Sequence, residues 1–599
     1  MPAANPSGEP VAEYQTRLAD RQKTVARCAA ADRRFSQTRG IVFLLGLALV
    51  AVVWKTGIAP WLLLLPLSVF VGLVIAHGRA VRDFVLARRA VNYYSTAIRR
   101  TNDRWADDGV TGERYLDPDH PYAGDLDLFG RGSLFQLISR ARTRLGENTI
   151  AAWLSAPAAK ETVLARQEAI DELRPMLELR ERLALLDAEV HDGLDQRELL
   201  HWAGDPAQPI SRGRRIAAVL ISALMIAGLA GWMSGIRISI VIGPLLILMA
   251  FTALFVKSIR RVARTMDAAA SGLAILAQVL AVIEEEEFHT PPLSRLRAQL
   301  DTDGHPPSFE IARLHRLMEN LRNCLQNQFF ALIGFVLCLE VHLVHAIEVW
   351  RERVGPHITD WLEAVSEFEA LSSFAGYAYE NPRDPFPEIV DEFPLIDGKQ
   401  LGHPLLPQSA CVRNDLRLDD GLRLILVSGS NMSGKSTLLR TVGTNVVLAL
   451  AGAPVRAESF ALSPVQVGTA MRIQDSLQDG KSLFYSVVSR LKMVVDLSQG
   501  DRPLLFLLDE ILQGTNSHDR RVGAEGVIRK LVDTGAIGLV TTHDLALTEI
   551  VHSLDGRAKN CHFEDQLVGG KMSFDYTIRP GVVEKSNALE LMRLLGLDV

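Results

Sequence analysis

The sequence predicts an α/β domain that follows an all-α region, with two transmembrane helical hairpins in the amino-terminal half of the chain. Three observations predict this fold class. Two pairs of long apolar runs lie before residue 260, helical periodicity fills the segments around them, and from about residue 410 short apolar runs alternate with helices. The chain has 599 residues, of which 48% are hydrophobic, a high share for a wholly soluble protein.

Each predicted hairpin consists of two apolar runs joined by a short polar turn. The first joins residues 41–54 to 58–76, and the second joins 216–234 to 238–256. A helix needs about 20 residues to cross about 30 Å of hydrocarbon, and three of the four runs approach that length. The first run is the shortest, at roughly 14 residues. Buried helices of a soluble core are the alternative interpretation of both hairpins.

Basic residues flank the outer ends of both hairpins. Because positively charged flanks stay on the cytoplasmic side, we expect a multi-pass protein of the cytoplasmic membrane, with both termini and the α/β domain in the cytoplasm. Membrane lipid is therefore an expected partner. The flanking residues are Arg33, Arg34, Arg39, Arg79, Arg82, Arg212, Arg214, Arg215, Lys257, Arg260, Arg261 and Arg264.

The other segments are assigned from periodicity and composition. A further apolar run, 329–349, carries Glu340, His342, His345 and Glu348, which would be costly in lipid, so we expect a packed cytoplasmic helix there. The predicted segments are a polar helix (1–39), the first hairpin (40–77), a basic helix and loop (78–125), core helices (126–210), the second hairpin (211–257), core and lever helices (258–380), a proline-rich connector (381–409) and the α/β domain (410–599).

The composition does not identify the binding partner of the protein. The formal net charge of -6 argues against a globally basic nucleic-acid binder, although a local basic groove would not change the total. The five cysteines include no CxxC pair, so neither a zinc site nor a disulfide framework is predicted.

A phosphate-binding loop opens the α/β domain, after a strand-like apolar run at 422–427. Gly429 and Gly434 let backbone amides face one point, Lys435 can reach the β and γ phosphates, and Ser436 can bind Mg²⁺. This arrangement is typical of a P-loop NTPase that binds ATP. The predicted nucleotide-binding residues of the loop are Gly429, Ser430, Asn431, Met432, Ser433, Gly434, Lys435, Ser436 and Thr437.

Two later strands end in residues that suit ATP hydrolysis. The apolar run 504–508 leads into Asp509 and Glu510. We predict that Asp509 binds the nucleotide's Mg²⁺ together with Ser436, and that Glu510 polarises the attacking water. Another apolar run, 536–540, leads to His543, which can sense the γ phosphate; a structural role is the alternative. The predicted catalytic residues are thus Glu510, His543 and Lys435.

A Gly-Lys-Ser sequence ending at Ser482 opens an amphipathic helix at 483–495. The amino end of a helix can bind an anion, and this one lies far in sequence from the loop, which suits contact with the nucleotide of a second subunit. An ordinary helix cap by Ser482 is the alternative.

Together the motifs SGSNMSGKST, DSLQDGKSLF, LLDEILQGTNSHDR and TTHD, with Phe574-Asp575-Tyr576, resemble the ATPase domain of the MutS family of DNA mismatch-repair proteins. Weaker similarity reaches upstream into the core and lever helices. The resemblance implies an α/β domain of the ABC/MutS type, ATP hydrolysis with Mg²⁺, DNA binding, and a homodimer through the ATPase domain in which Ser482 completes the partner's site in trans. Leu483 and Val487 replace the Thr and Glu usual in that helix.

We expect no counterpart of that family's amino-terminal mismatch-reading domain, because the first 125 residues hold a predicted hairpin instead. Three functions follow. One is a membrane-anchored dimeric ATPase whose lever helices still grip DNA, and another is a mechanical ATPase that acts on the membrane or a membrane partner without DNA. A transporter resembling ABC exporters is disfavoured, because the four apolar runs contain no charged residue.

Overall fold

The computed structural model describes residues 10–57, 60–186, 196–302, 304–391, 394–430, 432–471, 483–512, 516–568 and 571–583. Contacts between residues divide the chain into two compact units. The first unit contains residues 1–140, 150–185 and 373–599, and the second contains 141–149 and 186–372.

Two long helices begin the first unit, α1 (Pro10–Thr56) and α2 (Leu64–Thr101), with a 3₁₀ turn at Pro60–Leu63 between them. They pack side by side in opposite directions, as the 2.8 Å contact between His77 and Asp32 illustrates. Each contains an exposed apolar stretch long enough to cross a membrane. Residues 10–39 of the predicted polar helix and the first apolar run form one continuous helix, so the helix that contains this run is longer than its apolar residues alone suggest.

Short helices follow in the chain: α3 (Leu134–Ile138), α4 (Arg144–Ser155), α5 (Lys160–Leu173) and α6 (Leu177–Leu185). In the first unit α5 packs against the helix that follows the phosphate-binding loop. There Gly452, at the end of that helix, has φ +89, and a Cβ atom at this position would lie 2.6 Å from Arg166. Glycine is therefore needed where the two helices meet.

The α/β domain is built on a six-stranded sheet in the order β12-β9-β4-β8-β7-β6, in which only β12 is antiparallel to its neighbour. Every residue of β4 and β7 is buried, as expected for central strands of a parallel sheet covered on both faces. A four-stranded sheet, β1-β5-β2-β3, and the hairpin β10-β11 complete it.

The strands are β1 (Glu388–Ile389), β2 (Ile396–Leu401), β3 (Asn414–Leu418), β4 (Leu424–Ser428), β5 (Ser459–Leu462), β6 (Gln466–Ala470), β7 (Leu504–Leu508), β8 (Ile537–Thr542), β9 (Ala558–His562), β10 (Asp565–Val568), β11 (Lys571–Phe574) and β12 (Arg579–Pro580). In the second unit the helices are α7 (Gln196–Gly204), α8 (Arg212–Met233), α9 (Ser239–Ala253), α10 (Val256–Glu284), α11 (Pro291–Gln299), α12 (Pro307–Gln326), α13 (Gln328–Val336), α14 (Leu339–Val354) and α15 (Ile358–Glu380), whose last residues enter the first unit. The α/β domain adds α16 (Lys435–Ala451), α17 (Leu483–Leu497), α18 (Ser517–Asp533) and a 3₁₀ helix (Leu545–Leu554). An α/β domain preceded by a helical region is therefore confirmed.

In the second unit, α8 and α9 form a close hairpin where the sequence predicts the second pair of apolar runs. A Cβ atom at Gly228 of α8 would lie only 3.0 Å from the carbonyl oxygen of Ile240. By length and composition α8 can cross a membrane, as can α9 together with Val256–Thr265, which are bent by 50° at their junction.

The apolar run at 329–349 differs from the single packed helix expected from the sequence. It is divided between α13 and α14, and the helical axis bends by 85° between them. The break lies at Cys338, whose φ of +49° is left-handed. Since such a conformation cannot continue an α-helix, the run forms two helices in different directions.

Candidate nucleotide-binding site

Strand β4 delivers the predicted phosphate-binding loop to the carboxyl edge of the six-stranded sheet. Its last residue, Ser428, pairs with Thr542 of β8 and His562 of β9. The loop then leads directly into α16, which begins at Lys435. Because the first turn of a helix offers free N–H groups and a partial positive charge, this edge suits a phosphate group.

The glycines of the loop are required by its backbone. Gly434 has φ +107, and a Cβ atom there would lie 3.0 Å from the ring of Tyr576. At Gly429 a Cβ atom would lie 2.8 Å from the Ser433 hydroxyl. The loop therefore folds as it does because only glycine fits both positions. Met432 points outward, with 87% of the residue exposed, and Asn431 lies outside the described residues.

Lys435 is held inside this loop. Its ammonium group donates hydrogen bonds to the carbonyl oxygens of Gly429 (2.9 Å) and Ser430 (2.8 Å), and the residue is buried. Burial lowers the pKa of Lys435, while the charges of Glu510 and Asp509 act to raise it. The ammonium group thus lies at the centre of the loop and close to both carboxylates.

Two hydroxyl groups of the loop remain available. Ser430 Oγ and Ser433 Oγ are buried and find no hydrogen-bond partner among the residues that the structure describes. Buried hydroxyls normally have partners, so this pair indicates a site that a polar ligand would complete. Ser436 and Thr437 occupy the first turn of α16. A phosphate with its Mg²⁺ fits these donors and the oxygen of Ser436.

The predicted catalytic carboxylates follow β7 at the same edge. The hydroxyl of Thr541, in β8, donates to Asp509 Oδ1 and accepts from the Glu510 amide at 3.0 Å. Glu510 has φ +48, a conformation that costs about 1–3 kcal/mol and persists where surrounding structure holds it. His543 Nδ1 lies 3.6 Å from Glu510 Oε2. Asp509, Glu510 and His543 therefore meet beside the loop.

Two residues that sequence reasoning did not single out help to form the site. Thr541 holds the Asp509 carboxylate and the Glu510 backbone, and its signal was its place near the end of β8, two residues before His543. Asn414 donates to the carbonyl oxygen of Tyr576 (3.0 Å) and accepts from the amide of Ile578 (2.8 Å), which holds that segment near Gly434. No local pattern identifies Asn414. The predicted trans residue Ser482, within 472–482, lies outside the described residues, as do 513–515.

A strand, a glycine-rich loop with a lysine and a helix, together with carboxylates at neighbouring strand ends, define a P-loop nucleotide-binding domain. Comparison with protein families identifies the kind of P-loop domain. Residues 425–598 match the model of MutS domain V. The carboxyl-terminal part of the chain is therefore a MutS-type ATPase domain.

Curated relatives support this assignment over the same part of the chain. A DNA mismatch repair protein MutS from Lactobacillus delbrueckii is 33% identical over 258 residues, which are 41% of this chain and 29% of that protein. The DNA mismatch repair protein MSH6 of Arabidopsis thaliana is 32% identical over 270 residues, 42% of this chain and 20% of that protein. A MutS protein of Natronomonas pharaonis is 31% identical over 257 residues, with 41% and 29% covered. The chain thus spans less than a third of the length of these relatives.

Proposed function

We propose that the protein is a membrane-anchored ATPase whose nucleotide cycle moves the helices of its first hairpin. Lys435 and the loop amides bind the phosphates of ATP, and Ser436 and Asp509 would hold Mg²⁺, which would neutralise phosphate charge. Glu510 accepts a proton from water as its oxygen attacks the γ phosphorus, the bond to the β-phosphate oxygen breaks, and ADP leaves. His543, beside Glu510, contacts the transferred phosphoryl group.

We infer that two such chains pair through their ATPase domains. The amino end of the helix that begins near Ser482 would reach the nucleotide of the partner subunit, as the family resemblance implies. A charged ligand shared between two subunits would then make pairing depend on ATP. Sedimentation of the Glu510→Gln variant with and without ATP and Mg²⁺ tests this, and a single mass under both conditions would contradict it.

Both hairpins are proposed to lie in the membrane. In the first hairpin, none of the residues in the apolar windows of α1 and α2 is buried. Trp54 and Trp61 flank the connecting turn with 90% and 67% of each residue exposed, and tryptophan favours the membrane interface. Reporter fusions in the turns at 55–57 and 235–237 test the topology, and a cytoplasmic signal from either turn would contradict it.

The observation that carries the mechanical part of this proposal is a line of buried polar contacts within the first unit. It starts at Asn445 of α16, the helix that follows the phosphate-binding loop. Asn445 Oδ1 accepts from the Arg456 amide at 2.8 Å. The Arg456 guanidinium donates to Asn381 Oδ1 (2.9 Å) and pairs with Asp384 (3.4 Å). Arg456 and Asp384 are both buried, so α16 is fixed to the residues that follow α15.

The line continues through a cluster of largely buried side chains at the end of α15, which we call the Glu380 cluster: Tyr14, Arg100, Arg140 and Glu380. Two guanidinium nitrogens of Arg100, Nε and Nη2, donate hydrogen bonds to the Glu380 carboxylate, and the bond from Nε is 3.1 Å long. Arg140 lies 3.5 Å from the same carboxylate and the Tyr14 hydroxyl 3.4 Å. Although burial favours the neutral acid, Arg100 and Arg140 hold the pKa of Glu380 below its ordinary value.

The cluster therefore joins three helices. Tyr14 belongs to α1, Arg100 to α2 and Glu380 to α15, and α1 and α2 continue into the first hairpin. A movement of α16 on binding or losing the γ phosphate would reach both hairpin helices through Arg456 and Glu380. Contacts alone do not measure such coupling, so it needs a direct test.

Hydrolysis itself is tested with Glu510→Gln in the full-length chain. Loss of the group that activates water should reduce ATP turnover by about 10²-fold or more, while ATP binding is retained. The matched control is Glu525→Gln, a carboxylate on the surface of α18 that pairs with Arg529. Normal turnover in Glu510→Gln would show that another group activates water.

DNA binding is the second candidate function, and the similarity to DNA mismatch repair proteins favours it. Duplex and mismatched DNA affinity of the full-length chain should be measured across a salt series. Binding no tighter than about 10⁻⁴ M at physiological salt would exclude it, because that is the level of non-specific association.

A further inference from the structure

We propose that α13 is a re-entrant helix that lies within the cytoplasmic leaflet and presents its apolar face to lipid acyl chains. The inference rests on the proposed membrane insertion of the second hairpin, α8 and α9. It adds a third lipid-contacting element that neither hairpin includes.

The outer face of α13 is apolar and unburied. Phe329 is 87% exposed, Leu332 68% and Ile333 53%. No charged residue occurs between Gln328 and Leu339. Contiguous exposed apolar surface of this kind is rare on soluble proteins and marks contact with a membrane or a partner.

The neighbouring helix α8 identifies the membrane as the occupant. α13 and α14, the helices on either side of the break at Cys338, both contact α8. Arg215 of α8 belongs to the basic flank of the hairpin, which we expect at the level of the lipid head groups.

α13 therefore adjoins the helix that we propose to lie in the membrane. It ends just before the break at Cys338, and the first polar side chain after the break is that of Glu340 in α14. An apolar helix beside α8 that is followed by polar residues fits a segment in the cytoplasmic leaflet that does not cross the membrane.

The length and the capping of α13 fit a helix that enters and leaves on one side. Its 9 residues span about 14 Å, too little to cross about 30 Å of hydrocarbon. The side chain of Asn327 accepts from the amides of Phe329 (3.1 Å) and Phe330 (3.4 Å). Because an unpaired amide in lipid is costly, this cap suits a helix end that lacks water.

Tryptophan substitutions in the full-length chain test the proposal in bilayers made with lipids brominated near the head group. Phe329→Trp and, as a second variant, Leu332→Trp each add one emitter to α13. Leu220→Trp, on the exposed face of α8, reports the hairpin, and Phe309→Trp, on an exposed part of α12, reports water. The emission added by each substitution is obtained by subtracting that of the unsubstituted chain.

We expect Phe329→Trp and Leu332→Trp to lose the same fraction of their added emission as Leu220→Trp, and Phe309→Trp to lose none. Quenching of Leu220→Trp without quenching at 329 or 332 would overturn the proposal and leave the hairpin intact. Unquenched but blue-shifted emission at 329 would identify protein, such as a second copy, as the occupant. Absence of quenching at all four positions would overturn the membrane anchoring by the second hairpin and this inference with it.

Discussion

The nucleotide-binding edge and the Glu380 cluster both concentrate charged groups in the first unit, but they use them in opposite ways. At the edge, Lys435 contacts main-chain carbonyls, and the Glu510 and His543 side chains are 23% and 47% exposed. In the cluster, the Arg100 and Glu380 side chains are 8% and 6% exposed and pair with each other. The polar groups of the nucleotide-binding edge can therefore still bind a ligand. Those of the Glu380 cluster already pair with one another and hold helices together.

This difference predicts that the largest loss of stability comes from the cluster. Replacing Glu380 by Ala leaves Arg100 and Arg140 buried without their carboxylate. Breaking a buried ion pair in this way costs about 3–5 kcal/mol. The apparent midpoint of thermal unfolding of the purified chain should fall accordingly, and α1 and α2 should become sensitive to protease near their cytoplasmic ends.

The matched control for this substitution is Glu13→Ala, which removes a carboxylate of α1 from a partly exposed pair with Arg17. A pair of this kind between residues four apart contributes only about 0.3–0.5 kcal/mol. Equal unfolding midpoints for Glu380→Ala and Glu13→Ala would show that the cluster does not hold the helices.

At the nucleotide-binding edge we expect a large loss of ATP affinity and little loss of stability. Lys435→Ala removes hydrogen bonds from a charged donor to phosphate, each worth about 1.5–3 kcal/mol, so ATP affinity should fall by about 100-fold. The unfolding midpoint should hardly change, because Lys435 carries a burial cost that its carbonyl contacts offset only in part. Equilibrium binding of a fluorescent ATP analogue measures the first effect and thermal unfolding the second.

Lys492→Ala, on the exposed surface of α17 and paired with Asp496, is the control for removing a lysine from the same domain. It should leave both quantities unchanged. A fall in stability for Lys435→Ala as large as that of Glu380→Ala would remove the contrast between the two regions.

A smaller effect is expected at the margin of the cluster. The Tyr94 hydroxyl of α2 donates to Glu181 of α6 at 2.6 Å, and both side chains are buried. Burial and Glu181 raise the pKa of Tyr94, so the phenol stays protonated as the donor. Tyr94→Phe should cost about 1.5–3 kcal/mol, the value of a hydrogen bond to a charged group. An unchanged unfolding midpoint would mean that this contact does not stabilise α2.

The sequence predicts which residues meet at the nucleotide-binding edge, but it does not predict the Glu380 cluster. The reason is physical. Lys435, Asp509, Glu510 and His543 each follow an apolar strand directly, and parallel strands bring their carboxyl ends to one edge. Tyr14 and Glu380 are 366 residues apart, and neither lies in a motif. Their meeting depends on how long helices pack, which local patterns do not determine.

The break at Cys338 could not be predicted from the sequence either, because residues 335–341 around it include neither glycine nor proline. The left-handed backbone there accompanies the packing of α13 and α14 against α8 and α12. The two hairpins and their orientation stay predictions. So do the roles of Ser436 and Thr437 toward the nucleotide, and that of Ser482 toward a partner subunit.

The central claim, that nucleotide at the loop acts on the first hairpin through Glu380, is tested most directly by hydrogen exchange. Backbone amides of the Glu510→Gln chain would be compared with and without ATP and Mg²⁺, with and without a second substitution, Glu380→Gln. We expect ATP to protect α16 in both variants, and to change exchange at residues 10–21 and 93–101 only where Glu380 is intact. Protection of α16 with unchanged exchange in those two segments would contradict the claim.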